Sequence, residues 1–162
     1  MTRYRKTLIG QRTQEVNRLH KVLEIANIKL AVVATDVLGV SGRRMLEAML
    51  GGEQDADVLA ALAQGRLRTK LPQLRQALEG RLTAHHLILI KRILAHLDFL
   101  EESLAELQSE IERALLSSQD AVQLLQTIPG VGATAAAAIV AEIGTDISIP
   151  REYPYRSVGA AC

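Results

Sequence analysis

The sequence of 162 residues has a single cysteine, Cys162, at its last position. One cysteine supports neither a disulfide framework nor a cysteine-rich metal site, which excludes small secreted disulfide scaffolds and zinc modules. No apolar run approaches the ~20 residues that a membrane-spanning helix needs. The start of the chain is basic and mixed polar, without the apolar segment of a secretory signal. We therefore expect a cytoplasmic protein with no membrane partner.

Aromatic residues are equally scarce, at 2% of the sequence with no Trp and one Phe. Strands are enriched in aromatic and β-branched side chains, whereas Leu, Ala, Glu, Gln and Arg dominate here and favour helices. The sequence predicts an all-α fold: a helical hairpin or coiled coil with a small helical insertion and a C-terminal helix-hairpin-helix-like module.

The formal net charge is only +1, but the charges are strongly segregated. Residues 1–30 carry a net charge of +5 and residues 66–81 a net charge of +4, whereas residues 98–120 carry −6. The two basic segments could meet a phosphate backbone, which would repel the acidic segment.

Residues 3–26 repeat apolar side chains at helical spacing and predict an amphipathic helix. The basic residues Arg3, Lys6 and Lys21 fall opposite the apolar stripe, where they could contact DNA. Arg5 and Arg12 fall inside it. Either a carboxylate or phosphate partner, or a side chain that extends from the edge of a small core, would explain them, and we favour the second.

The β-branched segment 28–42 fits a short buried strand or a distorted helix, and periodicity alone does not decide between them. Ser41 is a candidate N-cap for a helix over residues 43–50 that Gly51 and Gly52 would stop.

Two more short helices are predicted in the insertion. Asp55 or Asp57 starts one that runs to about residue 64 and is closed by Gly65, and Pro72 opens another that Gly80 ends.

From Thr83, a good N-cap, the chain continues to about Ser117 without Gly or Pro. Apolar residues alternate at spacings of three and four over more than three heptads, as in a coiled coil. They are Ile90, Ile93, Leu97, Leu100, Leu104, Leu107, Ile111 and Ala114. The seam can pair with the N-terminal helix in an antiparallel hairpin or with another copy of the chain, and the opposite charges suit either.

Residues 123–144 predict a helix, a tight turn at Pro129–Gly132 and a second helix. Glycines allow the sharp turn, and the first N–H groups of the following helix can bind phosphate. Gly130, Val131 and Gly132 are therefore candidate DNA-binding positions. Residues 133–135 include no Lys or Arg, so phosphate binding and plain helix packing stay equally open.

No active site is evident. His85 and His86 are adjacent and point about 100° apart on a helix, so they do not share a metal as an i, i+4 pair does. The acidic residues of the long helix follow a solvated coiled-coil face, and the serines have no base motif beside them.

In combination, these segments resemble one family. The basic helix is followed by Gly-Val-Ser-Gly-Arg at 39–43, the Leu-rich helix, Ile-Pro-Gly-Val-Gly at 128–132 and Glu-Ile-Gly at 142–144. Residues 3 to about 150 resemble the insertion-sequence transposases of the IS110/IS116/IS902 family.

The resemblance implies a DNA recombinase with a RuvC-like domain that carries metal-binding carboxylates, a coiled coil for assembly, and a transposase domain with a nucleophilic serine. It also implies a guide RNA and a divalent metal in the parent family. Neither catalytic part is found here, so we expect a chain truncated at both ends, without a cofactor of its own.

The expected organisation is a basic helix and short-helix region at 1–82, a coiled-coil helix at 83–118 and the start of the transposase domain at 119–150. A tail at 151–162 lies outside the resemblance, and we predict it to be disordered. Two functions compete. The chain is either a catalytically inactive transposase fragment that binds DNA weakly and without sequence preference, or a coiled-coil protein that oligomerises with itself or with intact transposase.

Overall fold

The computed structural model describes residues 1–143, except for the side chain of Ser117, and the predicted tail at 151–162 lies outside them. The described residues form eight α-helices and two 3-10 helices, with no strand. The all-α prediction is therefore confirmed for this part of the chain. The α-helices are α1 Thr2–Ile25, α2 Leu30–Val33, α3 Val40–Leu50, α4 Ala56–Ala61, α5 Leu71–Ala77, α6 Ala84–Leu115, α7 Gln119–Gln126 and α8 Ala133–Ile143, and the 3-10 helices are Gly65–Lys70 and Leu116–Ser118.

The chain divides into two units, one of residues 3–107 and the other of residue 108 onward with the first two residues. The core of the first unit contains Leu19, Leu23, Met45, Leu74 and Leu97, which are almost completely buried. It therefore joins α1, α3, α5 and α6 in one apolar cluster. In the second unit, α7 packs against α8, and Ala136 and Val140 are buried. No helix within residues 1–143 combines the length and the apolar character needed to span a bilayer.

The end of α1 is set by Asn27, which has a left-handed backbone (φ 59°). The N–H of Ile28 donates to Leu23 O at 2.8 Å, and that of Asn27 donates to Glu24 O at 2.9 Å. This pair of bonds is a Schellman cap, in which asparagine takes the place usually held by glycine. It turns the chain back toward the core at Ile28.

The structure resolves the ambiguity of segment 28–42 in favour of helix. Leu30–Val33 forms one helical turn, and α3 begins at Val40 after a short connection. The Ser41 N-cap prediction is wrong, because Gly39 occupies the cap position with an extended backbone. The Ser41 hydroxyl instead accepts a hydrogen bond from the Gln64 N–H at 2.8 Å.

The other short helices follow the sequence signals with two corrections. Asp55 caps α4, since its Oδ1 accepts from the N–H groups of Asp57 and Val58 at 2.8 and 3.4 Å. The end predicted at Gly65 is wrong, because α4 stops at Ala61 and Gly65 opens a 3-10 helix with φ 55°. Pro72 lies in the first turn of α5 as predicted, but α5 ends at Ala77, before Gly80.

Thr83 caps α6 as predicted, with a reciprocal partner. Its Oγ1 accepts from the His86 N–H at 3.4 Å, and its own N–H donates to His86 Nδ1 at 3.3 Å. This pair resembles a capping box in which histidine replaces the usual Glu or Gln. It gives His86 a structural role.

Candidate nucleic-acid interface

The long helices α1 and α6 pair inside one chain. Arg12 Nη2 lies 2.8 Å from Glu101 Oε1, and Glu15 Oε1 lies 3.2 Å from His96 Nδ1. Advancing along α1 thus means moving backward along α6, so the two helices form an antiparallel hairpin. Of the two pairings that the seam allowed, the structure contains this one.

The seam is buried along most of its length. Ile90, Leu97 and Leu100 are almost completely buried, and Leu104 and Leu107 are half-buried. In the second unit Ile111 is buried, whereas Ala114 is exposed. The seam therefore ends one position before the sequence pattern does.

The basic residues predicted to contact DNA on α1 are all exposed. Arg3, Lys6 and Lys21 lie on one side of the helix, within about 60° of each other at 100° per residue. At 1.5 Å per residue, Arg3 and Lys21 are about 27 Å apart along the axis. The result is a basic strip along the outside of the hairpin.

The two arginines inside the apolar stripe behave differently. Arg12 donates from both Nε and Nη2 to Glu101 Oε1, at 3.0 and 2.8 Å. A carboxylate partner therefore accounts for the place of Arg12 within the apolar stripe, and the interpretation that we favoured, a side chain extending from the edge of the core, is wrong for this residue. Arg5 is half-buried, and its Nε is buried with no hydrogen-bond partner among the described residues.

Acidic residues of α6 take part in ion pairs, two with other helices and one within α6 itself. Besides Glu101, Asp98 Oδ2 accepts from Arg43 Nη2 at 2.7 Å, and Glu110 pairs with Arg113. The hydrogen bond that Arg43 donates to Asp98 raises the pKa of Arg43, with a smaller contribution from Glu47. These carboxylates hold arginines in place.

Sequence reasoning missed two of these residues. Glu15 is buried although it is charged, and it accepts from Arg18 while lying against His96. Arg43 joins α3 to α6. Neither has a local signal beyond its charge, because each partner on α6 lies more than 50 positions away in the sequence.

Two of the histidines make contacts with other side chains or with the backbone. Among residues 1–143, no group of three or more His, Cys, Asp or Glu side chains is positioned to hold a metal ion. His86 caps α6 and His96 contacts Glu15, so each has a structural contact.

The turn between α7 and α8 lies at the surface. Gly130 has φ 88°, which favours glycine, and the Val131 N–H donates to Ile128 O at 3.0 Å. Gly132 immediately precedes α8, and its carbonyl accepts from the Ala136 N–H at 3.0 Å. Gly130 and Gly132 are exposed, and so are residues 133–135, while Val131 is half-buried. The first turn of α8 is thus accessible, with small side chains around it.

The turn lies in a segment that is similar to a known protein family. A search of curated proteins and a search of solved structures each found no match. One family model matches residues 122–152, which begin in α7, contain the turn and α8, and continue past the described residues. It is the model of the Transposase IS116/IS110/IS902 family, so the resemblance expected over residues 3 to about 150 is supported in this segment.

Proposed function

We propose that this transposase-derived chain binds DNA through the phosphate backbone, weakly and without sequence preference, and that it does not itself cut or join DNA. The observation that carries the proposal is the family match over α7, the turn and α8. On this proposal the chain needs no cofactor of its own and acts in the cytoplasm. A guide RNA and a divalent metal belong to the parent family only.

The turn supplies a backbone contact. The first N–H groups of a helix have no partner within the helix and carry partial positive charge, so the start of α8 favours an anion. Glycines at 130 and 132 allow a phosphate to approach the main chain closely. Because residues 133–135 carry no cationic side chain, we expect this contact to be weak.

The basic strip on α1 supplies the electrostatic part. Arg3, Lys6 and Lys21 extend for about 27 Å along the helix, a length over which several phosphates of one duplex are accessible. Lys and Arg contacts to phosphate position a protein on DNA without reading sequence.

The test is a salt titration of fluorescence anisotropy on labelled random-sequence duplex DNA. With ~5 phosphates neutralised, log K should fall against log salt with a slope of about −4.5. Replacing Arg3, Lys6 and Lys21 by Gln should flatten the slope by roughly one unit for each phosphate that is no longer neutralised. The control replaces Lys91 and Arg92, exposed cations on α6, and should have a smaller effect per charge. Tight binding at high salt, or strong preference for one sequence, contradicts the proposal.

A second candidate function is homo-oligomerisation or assembly with intact transposase. The observation in its favour is the apolar surface of the second unit, where Leu116, Leu124, Ile128 and Ile143 are at least half exposed. Water-exposed apolar side chains of this kind favour association. Light scattering after size-exclusion chromatography tests it. A dimer that dissociates in a Leu124→Glu variant supports association, whereas a monomer at all concentrations excludes self-association.

A further inference from the structure

The insertion between the two long helices contains an open groove of about 810 Å³. One wall is the connection from α2 into the start of α3, and the other is the 3-10 helix Gly65–Lys70 with the residue before it. Polar and charged residues that line it include Thr35, Asp36, Ser41, Gln64, Arg66 and Lys70. All of them belong to the first unit.

Two hydrogen bonds hold the walls together. The Gln64 N–H donates to Ser41 Oγ at 2.8 Å, and Lys70 Nζ donates to Val33 O at 3.5 Å. The Gln64 and Ser41 pair joins positions 23 residues apart, so the groove depends on tertiary packing.

The charge in the groove is mainly positive. Arg66 and Lys70 line the groove and are exposed, while the single carboxylate on the opposite wall, Asp36, accepts from the Leu38 N–H at 2.9 Å. Arg68 belongs to the same 3-10 helix but is not part of the lining. The exposed side chain of Val40 adds an apolar surface at the start of α3.

We propose that this groove binds the phosphodiester backbone of DNA, with Arg66 and Lys70 on phosphates and the apolar wall against the sugars. At about 2.0 Å per residue, the two positions are about 8 Å apart along the 3-10 helix. Successive phosphates of one strand advance by about 3.4 Å along the duplex axis, so the two cations contact different phosphates. Contacts to phosphate and sugar fix the position of a protein on DNA.

This inference rests on the proposed DNA binding and names a surface that the α1 strip and the glycine turn do not include. The experiment measures anisotropy of labelled random-sequence duplex DNA against salt concentration with the full chain. Arg66→Gln with Lys70→Gln should weaken binding and flatten the salt slope by about 1.8 units, which is ~0.9 for each phosphate that is no longer neutralised. The control, Arg68→Gln, removes one positive charge two positions from each of these residues and should leave the slope nearly unchanged.

Circular dichroism and thermal melting check that the variants fold. Arg66→Gln alone leaves the hydrogen bond from Lys70 to Val33 in place, and Arg66→Lys should keep most of the slope because it keeps the charge. If Arg68→Gln flattens the salt slope as much as Arg66→Gln does, the groove proposal is overturned, because binding then depends on total charge only.

The remaining outcomes separate the groove from the proposed function. A wild-type chain that binds no DNA overturns the proposed function together with the groove, whereas a wild-type chain that binds with an unchanged slope in the double variant overturns the groove alone. Inorganic phosphate that displaces DNA far better than chloride at equal ionic strength would show a small-anion site and also overturns the groove proposal.

Discussion

Glu15 Oε1 lies 3.2 Å from His96 Nδ1, across the hairpin formed by α1 and α6. Glu15 is the one charged residue among the described residues that is buried, and the same oxygen accepts from Arg18. A buried carboxylate is stabilised only when hydrogen bonds replace the water that has left it. Glu15 thus helps to fix the register of the two helices.

The first prediction concerns this carboxylate. Glu15→Gln keeps the shape of the side chain but removes its negative charge, which weakens the hydrogen bond that it accepts from Arg18. We therefore expect the free energy of unfolding to fall by about 1–2 kcal/mol. Urea denaturation monitored by circular dichroism measures it. Glu24→Gln, on the exposed side of the same helix, is the control and should change stability little. Equal effects of the two substitutions would argue against a role of Glu15 in the register.

The second prediction compares two adjacent residues of α6, one inside the apolar seam and one outside it. Leu100 is 1% exposed and Phe99 is 61% exposed. Leu100→Asp puts a charge into the core of the hairpin and should cost about 3 kcal/mol or more of unfolding free energy. Phe99→Asp should leave the melting temperature almost unchanged. If Leu100→Asp melts like the wild-type protein, the hairpin is not the stable form in solution.

A third prediction follows from Gly80, which lies against the end of α1. A Cβ atom there would overlap the carbonyl oxygen of Ala26 and stand 2.5 Å from Ile28 Cγ1. The Arg81 N–H donates to the same Ala26 O at 3.0 Å, so the backbone cannot easily move away. Gly80→Ala should destabilise the chain by about 1–3 kcal/mol.

Gly10 is the control for Gly80, since a Cβ there meets nothing within 4 Å. Because Gly10 lies inside α1, Gly10→Ala should stabilise the chain by roughly 0.5–1 kcal/mol. Thermal melts of the two variants should therefore move in opposite directions. A shift in the same direction would contradict the close approach at Gly80.

The fourth prediction separates the two turn glycines. Gly130 has φ 88°, so Gly130→Ala should cost about 1–2 kcal/mol although space is available for the side chain. At Gly132 a Cβ atom would also meet nothing within 4 Å, and the backbone φ is not positive. Gly132→Ala should therefore destabilise the chain less than Gly130→Ala does. Hydrogen exchange of the amides in α8, followed by mass spectrometry, reports on both variants. Faster exchange in the Gly132 variant than in the Gly130 variant would be the opposite of what the backbone predicts.

The fifth prediction is chemical. We expect no cleavage or joining of duplex DNA by the purified chain, with or without Mg²⁺, because residues 1–143 hold no group of three or more His, Cys, Asp or Glu side chains positioned for a metal ion. A gel assay on supercoiled plasmid measures it. A variant in which Asp98 is replaced by Asn serves as the control for a contaminating nuclease, since cleavage that requires Asp98 would be lost in it while a contaminant's would remain. Metal-dependent cleavage that disappears in this variant would contradict the proposal of an inactive chain.

The sequence predicted most helices and the candidate DNA-binding positions, and it did so through local signals. The 24 residues of α1, the cap at Thr83 and the turn at Gly130 depend on periodicity, capping and backbone freedom within a few positions. One error came from a long-range contact. Ser41 is a residue type typical of N-caps, yet Gly39 holds the cap position and the Ser41 hydroxyl accepts from Gln64, 23 positions further along the chain.

What the sequence by itself determined is the all-α class, the segregation of charge and the glycine turn of the transposase-family segment, because each depends on short-range geometry or on composition. Tertiary structure alone decided that Arg12 pairs with Glu101, that Glu15 is buried beside His96, and that Arg66 and Lys70 line one groove. Arg12 and Glu101 are 89 positions apart, and the same apolar seam of α6 could have paired with a second copy of the chain. Which of the two pairings forms depends on how much apolar surface each one buries. The free energy of that burial depends on the packing of the whole molecule and not on any one segment.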